Sequence, residues 1–340
     1  MKHIKTFLLT TLTVICIYII VVLNHTLFAQ IPKFQNSEIW LDNLYLVKNF
    51  INNQSIHKQR LLFVGGSNIL FGFNSALIDS QTSFKPINYG THAGLPLNFH
   101  IDTIIKNAKQ GDIIFLPIEF NYYTRIEPTD DYWYIQNMLT WNTSYTKYID
   151  TKHIILAYLK NEPVITFKTL LKSYFYAFET SQDPITTMHN IWQNPQKFIG
   201  YNYQSLNSYG DFCTQKGVVS ALNHKYLDSN LTLSPFFLSE YNRLLEFAAS
   251  KNIKIFLTYP PTMENPDFSL NNPQTFAKIE NLKAELKKHN IEIYGDFRDF
   301  HFERKYFFDT HYHLNEEGAI LRTQAFIKLL EHMQQEGLIP

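Results

Sequence analysis

An excess of charge of either sign is the first thing this 340-residue chain lacks. Thirty Lys and Arg balance thirty Asp and Glu, and no block of basic residues gathers anywhere, so the footprint of a nucleic-acid surface is missing. Cysteine is nearly absent as well. The two present, Cys16 and Cys213, are divided between an apolar N-terminal segment and the body of the chain, so no intramolecular disulfide is expected even in an oxidising compartment. The paired metal-ligand spacing His-x-x-x-His does not occur. His301 with Asp296, Asp299 and Glu303 comes nearest to one, and neither a metal nor a cofactor is expected.

Apolar and aromatic residues are plentiful. A 45% hydrophobic content over this length can bury a full core, in roughly one large domain or one domain with an insertion. The 28 Phe and 21 Tyr suit core packing, a carbohydrate-facing cleft or a surface near a membrane equally well. At the N-terminus, Lys2 and Lys5 precede Phe7 to Leu23, a charge-free stretch just long enough to span a bilayer. The basic flank should stay in the cytoplasm, leaving everything after Asn24 outside. Leu27-Phe28-Ala29 is a poor cleavage site because Leu27 is bulky, so residues 1–29 are expected to remain as a single-pass anchor. Residues 30–59 follow as a linker helix, with Ile39-Trp40-Leu41 and Leu44 to Val47 recurring at helical spacing.

The remainder, 60–335, is organised around Leu61-Leu62-Phe63-Val64-Gly65-Gly66-Ser67-Asn68, a buried strand that stops on two glycines and a serine. A short helix should follow, which places Ser67 at a strand-to-helix turn facing a cleft, where a nucleophile could stand. Read alone, Gly-Gly-Ser is equally an ordinary turn in which Ser67 caps the helix. Further strands are expected at Phe84 to Gly90, Ile113 to Ile118, Ile253 to Tyr259 and Ile291 to Tyr294. Helices should cover Leu97 to Lys109, Ser239 to Ser250 and Pro273 to His289. Strands separated by helices mean an α/β fold, a parallel sheet in three α/β/α layers. Between about 122 and 234 that rhythm is lost. Tyr132-Trp133-Tyr134, His153 to Leu159 and Phe167 to Phe178 predict a mostly helical insertion, and Asn202 to Asp211 predicts a loop.

A partner for Ser67 comes late in the chain. Asn315 can cap a terminal helix, so His313 lies in the loop just before a helix start, with Asp309 the nearest carboxylate. A neutral imidazole there can take a serine proton, and a carboxylate can fix its tautomer. The plainer reading is a capped surface loop whose histidines face water. His92 could line the same cleft, though a hydrogen-bonded surface residue explains it as well. Asp228-Ser229-Asn230-Leu231-Thr232 fits an extended N-glycosylation sequon, or simply an exposed loop.

Together these motifs resemble the SGNH/GDSL hydrolase superfamily, in particular its membrane-anchored members that handle acyl groups on cell-surface glycans. Gly65-Gly66-Ser67-Asn68 resembles the nucleophile block, and Asn88-Tyr89-Gly90 the second block, whose glycine N–H is an oxyanion donor. Asp309 to His313 with Leu314-Asn315 is similar to the terminal block. The third block is usually Gly-x-Asn-Asp. Here the strand ends Glu119-Phe120-Asn121-Tyr122, so only Asn121 carries over, as a further oxyanion group. The terminal block usually spaces Asp and His by three, whereas Thr310 stands three back and Asp309 four back, so the loop must accommodate an extra residue. His311, in an Asp-x-His arrangement, is the rival base. The resemblance implies Ser67, His313 and Asp309 as catalytic residues, with Gly90 and Asn121 at the oxyanion. It also implies serine-dependent acyl transfer or ester hydrolysis on a cell-surface glycan, by an O-acetyltransferase or O-acylesterase outside the cytoplasm, beside a membrane-bound O-acyltransferase. The alternative is a non-catalytic glycan-binding or assembly subunit that keeps the fold with a decayed site.

Overall fold

The structure is a computed structural model that describes residues 2–28, 40–55, 57–126, 135, 138, 143–160, 183–195, 197–212, 214–218 and 223–340. The N-terminal elements are α1 (Lys2–Phe28), α2 (Trp40–Asn52), β1 (Gln59–Gly65), α3 (Ser67–Leu70) and α4 (Ser75–Gln81). β2 (Phe84–Gly90), α5 (Leu97–Asn107), β3 (Ile113–Leu116) and α6 (Asn121–Thr124) come next. The less regular middle holds α7 (Thr151–Lys160) and α8 (Pro184–Trp192), with 3-10 turns at Thr143–Tyr148 and Tyr203–Ser205. The chain closes with α9 (Pro235–Ser250), β4 (Lys254–Thr258), β5 (Thr262–Met263), α10 (Pro273–Lys288), β6 (Ile293–Tyr294), β7 (His301–Phe302) and α11 (Glu316–Gln335). Contacts divide it into two compact units, Met1–Asn43 with Glu127–Gln182 and Leu44–Ile126 with Asp183–Pro340.

In the first unit, α1 is long and apolar enough to cross a membrane: the window His3–Ile20 has a mean hydropathy of 1.8 and none of it is buried. Thr10, Thr11 and Thr13 donate their hydroxyls to carbonyls four residues earlier, so these polar groups need no outside partner.

The second unit holds a five-stranded, all-parallel sheet in the order β2-β1-β3-β4-β6. From β1 to β2 the chain steps to one side of β1, and from β2 to β3 it returns past β1 to the other. Right-handed crossovers in opposite directions put their helices on opposite faces, so α4 covers one face while α5, α9 and α10 cover the other. The packing agrees: α11 lies beside α4, and α5 beside α9. Register aligns Phe63, Phe115 and Phe256 in one row across the sheet. Phe326 of α11 meets that row edge-on, with ring centroids 5.0 Å from Phe63 and 4.8 Å from Phe115, and Phe73 stacks on Phe63 at 4.1 Å. The three-layer α/β/α arrangement expected from the sequence is therefore present.

Proline accounts for most of the shifted boundaries. β3 ends at Leu116 because Pro117 has no N–H to donate, and β4 stops before Pro260-Pro261. α9 starts at Pro235, earlier than its apolar spacing suggests, because Ser234 accepts the Phe237 N–H and proline fits the first turn. α2 is more than a connector in its second half: Leu44 and Val47 are buried, and Lys48 Nζ donates to the carbonyls of Asn88 and Gly210, both at 2.6 Å.

The middle of the chain departs most from expectation. His153 to Leu159 is helical within α7, but Tyr132-Trp133-Tyr134, Phe167 to Phe178 and Cys213 lie outside the described residues. Residues 183–234 belong to the unit of the sheet, and apart from α8 and the turn Tyr203–Ser205 their described part is not helical. Buried Asp211 shows what this segment does instead. It accepts from the Ser75 N–H and hydroxyl and the Asn88 and Asn207 amides, tying the segment to α4 and β2.

Candidate active site

All strands run parallel, so their carboxyl ends gather at one edge, where ligands of such sheets bind. Gly65 ends β1 with φ +148, a conformation closed to residues with a Cβ, and α3 begins two residues later with Ser67. Ser67 is 9% exposed.

Across the edge stands the loop before α11. Its ends are pinned by the antiparallel bridge Phe307↔Leu314 and by the Phe308 N–H donating to the His313 carbonyl at 2.8 Å. Thr310 Oγ1 accepts the N–H groups of Tyr312 at 3.3 Å and His313 at 3.2 Å. The residue three back from His313 is thus used to close the turn, and that is how the extra residue is accommodated. Asp309, four back, reaches the imidazole instead.

His313 Nε2 lies 2.7 Å from Ser67 Oγ, and His313 Nδ1 lies 2.8 Å from Asp309 Oδ1. A neutral imidazole with its proton on Nδ1 satisfies both contacts, with the serine hydroxyl donating to Nε2 and Nδ1–H to the carboxylate. Phe71 holds the ring in place, stacked at 4.3 Å between centroids and 7° between planes. Phe198, Phe212 and Phe308 pack around Phe71 in turn. Burial acts to raise the Asp309 carboxyl, but its hydrogen bonds with His313 and Tyr201 outweigh that and leave its pKa below the ordinary carboxylate value.

Tyr201 was not singled out from the sequence. Its hydroxyl donates to Asp309 Oδ2 at 2.7 Å and stands 3.1 Å from His313 Nδ1. It comes from the segment expected to be a helical insertion, where one tyrosine among 21 carries no local signal.

His311, the rival base, makes no hydrogen bond with Ser67 among the described contacts. Its ring stacks on His224 at 3.3 Å between centroids, and its carbonyl accepts the Tyr226 hydroxyl at 2.6 Å. Burial, with the neighbouring His224 and His313, pushes its pKa down to about 3. The expected oxyanion groups are placed differently from the triad. The Gly90 N–H donates to Asn88 Oδ1 at 2.7 Å, and Gly90 needs to be glycine because a Cβ there would lie 2.6 Å from Ile69 Cβ. Asn121 is the exposed first residue of α6. His92 Nδ1 accepts the Gly94 N–H at 2.9 Å. His301 bridges Thr262 Oγ1 at 2.8 Å and Glu264 Oε2 at 2.7 Å, and Asn230 is exposed in a turn. Among the described residues no three His, Cys, Asp or Glu side chains converge as metal ligands.

No known family model and no curated protein matches the chain. Several solved structures are similar to it, among them the following two. A member of the lipolytic protein G-D-S-L family from Veillonella parvula is 12% identical, covering 80% of this chain and 98% of its own, with a TM-score of 0.33. The protein YxiM from Bacillus subtilis is 10% identical, covering 84% of this chain and 58% of its own, with a TM-score of 0.34.

Proposed function

We propose that the chain is a serine-dependent acyl-transfer enzyme of the SGNH/GDSL type. One observation carries this reading: the unbroken contact series from Ser67 Oγ through both nitrogens of His313 to Asp309, at 2.7 and 2.8 Å. A serine is a weak nucleophile until a base takes its proton, and a base within hydrogen-bond reach is what these distances supply. In the forward step Ser67 Oγ attacks an acyl carbonyl while its proton passes to His313 Nε2. The carboxylate of Asp309 stabilises the imidazolium and does not itself become protonated. The tetrahedral intermediate then collapses, and the leaving alcohol takes the proton from Nε2, leaving an acyl ester on Ser67. The Ser67 N–H at the start of α3 is the first oxyanion donor. Gly90 joins it only if its N–H turns from Asn88, and Asn121 through its side-chain amide.

In the second step a water or an alcohol attacks that ester by the same route. Water makes the enzyme an O-acylesterase, and a sugar hydroxyl makes it an O-acyltransferase. We place α1 in the membrane with the basic Lys2 and Lys5 on the cytoplasmic side and the remainder outside. The acceptor is then a glycan of the cell envelope, and a membrane-bound O-acyltransferase is a suitable neighbour to load the acyl group. The apolar α1 supports this placement. A decayed binding module would have no need to keep Ser67, His313 and Asp309 in line.

Hydrolysis of a p-nitrophenyl ester by the full chain tests the reaction class, and a polysaccharide acceptor added to the same assay separates transfer from hydrolysis. Ser67→Ala should lower the rate by about 10³-fold or more without changing the melting temperature, because only a hydroxyl is removed. An unchanged rate in a folded Ser67→Ala protein would eliminate the enzyme reading.

A further inference from the structure

The turn that carries Ser67 is held from beneath by two buried charges. Asn68, the next residue, is fully buried, and each of its polar groups is bonded. Its N–H donates to Glu119 Oε1 at 3.1 Å and its Nδ2 to the Pro117 carbonyl at 2.9 Å. Its carbonyl accepts from Arg322 Nη1 at 2.7 Å and its Oδ1 from Arg322 Nη2 at 3.0 Å. Glu119 extends from the chain after β3 and is 1% exposed; Arg322 extends from α11 and is 0% exposed. Glycines make the room. A Cβ on Gly66 would fall 2.6 Å from Glu119 Oε2 and 2.7 Å from its Cδ, and one on Gly72 would collide with Arg322 Nη1.

Stability alone does not account for this arrangement. Removing two ionised groups from water is costly, and well-packed apolar residues of similar volume are often at least as stable. Glu119 and Arg322 make no direct salt bridge among the described contacts, and Glu119 Oε2 is buried without a hydrogen-bond partner among the described residues. Burial pulls the Arg322 guanidinium down to about 9, with the Glu119 carboxylate acting against it. What the two side chains share is Asn68, whose peptide bond joins it to Ser67.

We propose that Glu119 and Arg322 are positioning residues for Ser67: Glu119 holds the Ser67–Asn68 peptide through its N–H and Arg322 holds the Asn68 carbonyl and side chain, so that the hydroxyl faces His313 Nε2. Glu119 supplies, from the end of β3, the carboxylate that a Gly-Asp-Ser-Leu signature would carry at the position of Gly66. The Glu119 carboxylate lies where a side chain at position 66 would begin, so Gly66 leaves the space that Glu119 fills. The inference rests on the acyl-transfer reading above.

The test uses the full chain and a fluorophosphonate probe that phosphonylates an activated serine. The dependence of inactivation on probe concentration gives the limiting rate kinact and the half-saturating concentration KI separately, and thermal denaturation reports the fold. Glu119→Gln combined with Arg322→Met removes both charges and orphans neither. It should lower the melting temperature, because the buried Asn68 carbonyl and Oδ1 lose their donors, but in the folded protein it should keep KI and lower kinact by about 10²-fold, the scale of a misplaced reacting group. Gly66→Asp combined with Glu119→Gly returns the carboxylate to the nucleophile turn and should retain most of the wild-type kinact. A folded charge-free variant reacting at the wild-type rate would overturn the proposal. So would a folded carboxylate-swapped variant whose kinact falls about 10²-fold below the wild type, and this decides the matter if the charge-free variant does not fold. A wild-type chain that fails to react with the probe would overturn the acyl-transfer reading itself, and this inference with it.

Discussion

The nucleophile half of the site and the base half are held in different ways. Ser67 sits where a core strand stops, and its neighbours Asn68, Ile69 and Leu70 are fully buried. Its position is a property of the sheet. His313 is 8% exposed at its side chain, but Asp309 is 33% exposed and lies in a surface loop. That carboxylate is oriented by Tyr201, a residue more than a hundred positions away in the chain. The contrast teaches that altering Ser67 or the buried His313 should remove chemistry outright, whereas altering Asp309 or Tyr201 should grade it, because a partly exposed carboxylate can be replaced in part by water.

Substitutions can sharpen that contrast. The largest effects are expected at Ser67 and at its base: His313→Ala leaves Ser67 without a base and should lower the rate of ester hydrolysis by about 10⁴-fold or more, as much as removing the hydroxyl itself. His311→Ala should retain most activity, since His311 is stacked on His224 and it is His313 that contacts Ser67. The reverse pattern in the same assay would mean that the Asp-x-His pair carries the chemistry. Asp309→Asn keeps the shape but loses the charge and offers the wrong tautomer, and a fall of about 10³-fold is expected for a carboxylate as exposed as this one.

Tyr201→Phe should cost about 10-fold, the equivalent of one hydrogen bond to a charged group. The ring would still pack on Phe71, 5.3 Å away between centroids, so the melting temperature should hold and kcat should fall more than KM rises. A Tyr201→Phe enzyme with wild-type kcat would show that Asp309 needs no second partner, and the contrast between the halves would weaken.

The smallest effect concerns stability against pH. The folded pKa of His311, about 3, lies below that of an unfolded histidine near 6.5, because burial penalises its charged form. As pH falls below about 6.5 the unfolded chain therefore binds this proton first, and stability is lost progressively down to about 3. His224, lowered by burial as well, acts in the same direction. Melting temperatures at pH 7 and pH 5 should differ less for His311→Gln than for the wild type. An equal or larger difference in the variant would show that the stacked pair is not the source.

The same division governs how much of the molecule can be read from its sequence. β2 appears with the expected ends, β1 within two residues, and α11 starts at the expected Asn315 cap, because continuous apolar runs and an Asn cap are local signals. Ser67, His313 and Asp309 were legible through short motifs and meet as those motifs imply. Tyr201, Glu119 and Arg322 were not legible as supports. Each works through a contact more than fifty positions away, and no local spacing encodes such a contact. The oxyanion roles of Gly90 and Asn121 are less legible for another reason. A glycine reads the same whether a backbone N–H needs to be presented or a helix needs to approach closely, and at Gly90 the close approach of α3 is what the structure shows.

The most direct measurement of the central claim is the rate at which a fluorophosphonate modifies Ser67, located by peptide mass spectrometry, in the wild type and in His313→Ala. Rapid, stoichiometric modification of Ser67 in the wild type and its near-complete loss in a folded His313→Ala protein are expected, because the base at 2.7 Å is what activates the hydroxyl. Equal modification rates in the two proteins, or a modified residue other than Ser67, would contradict the account.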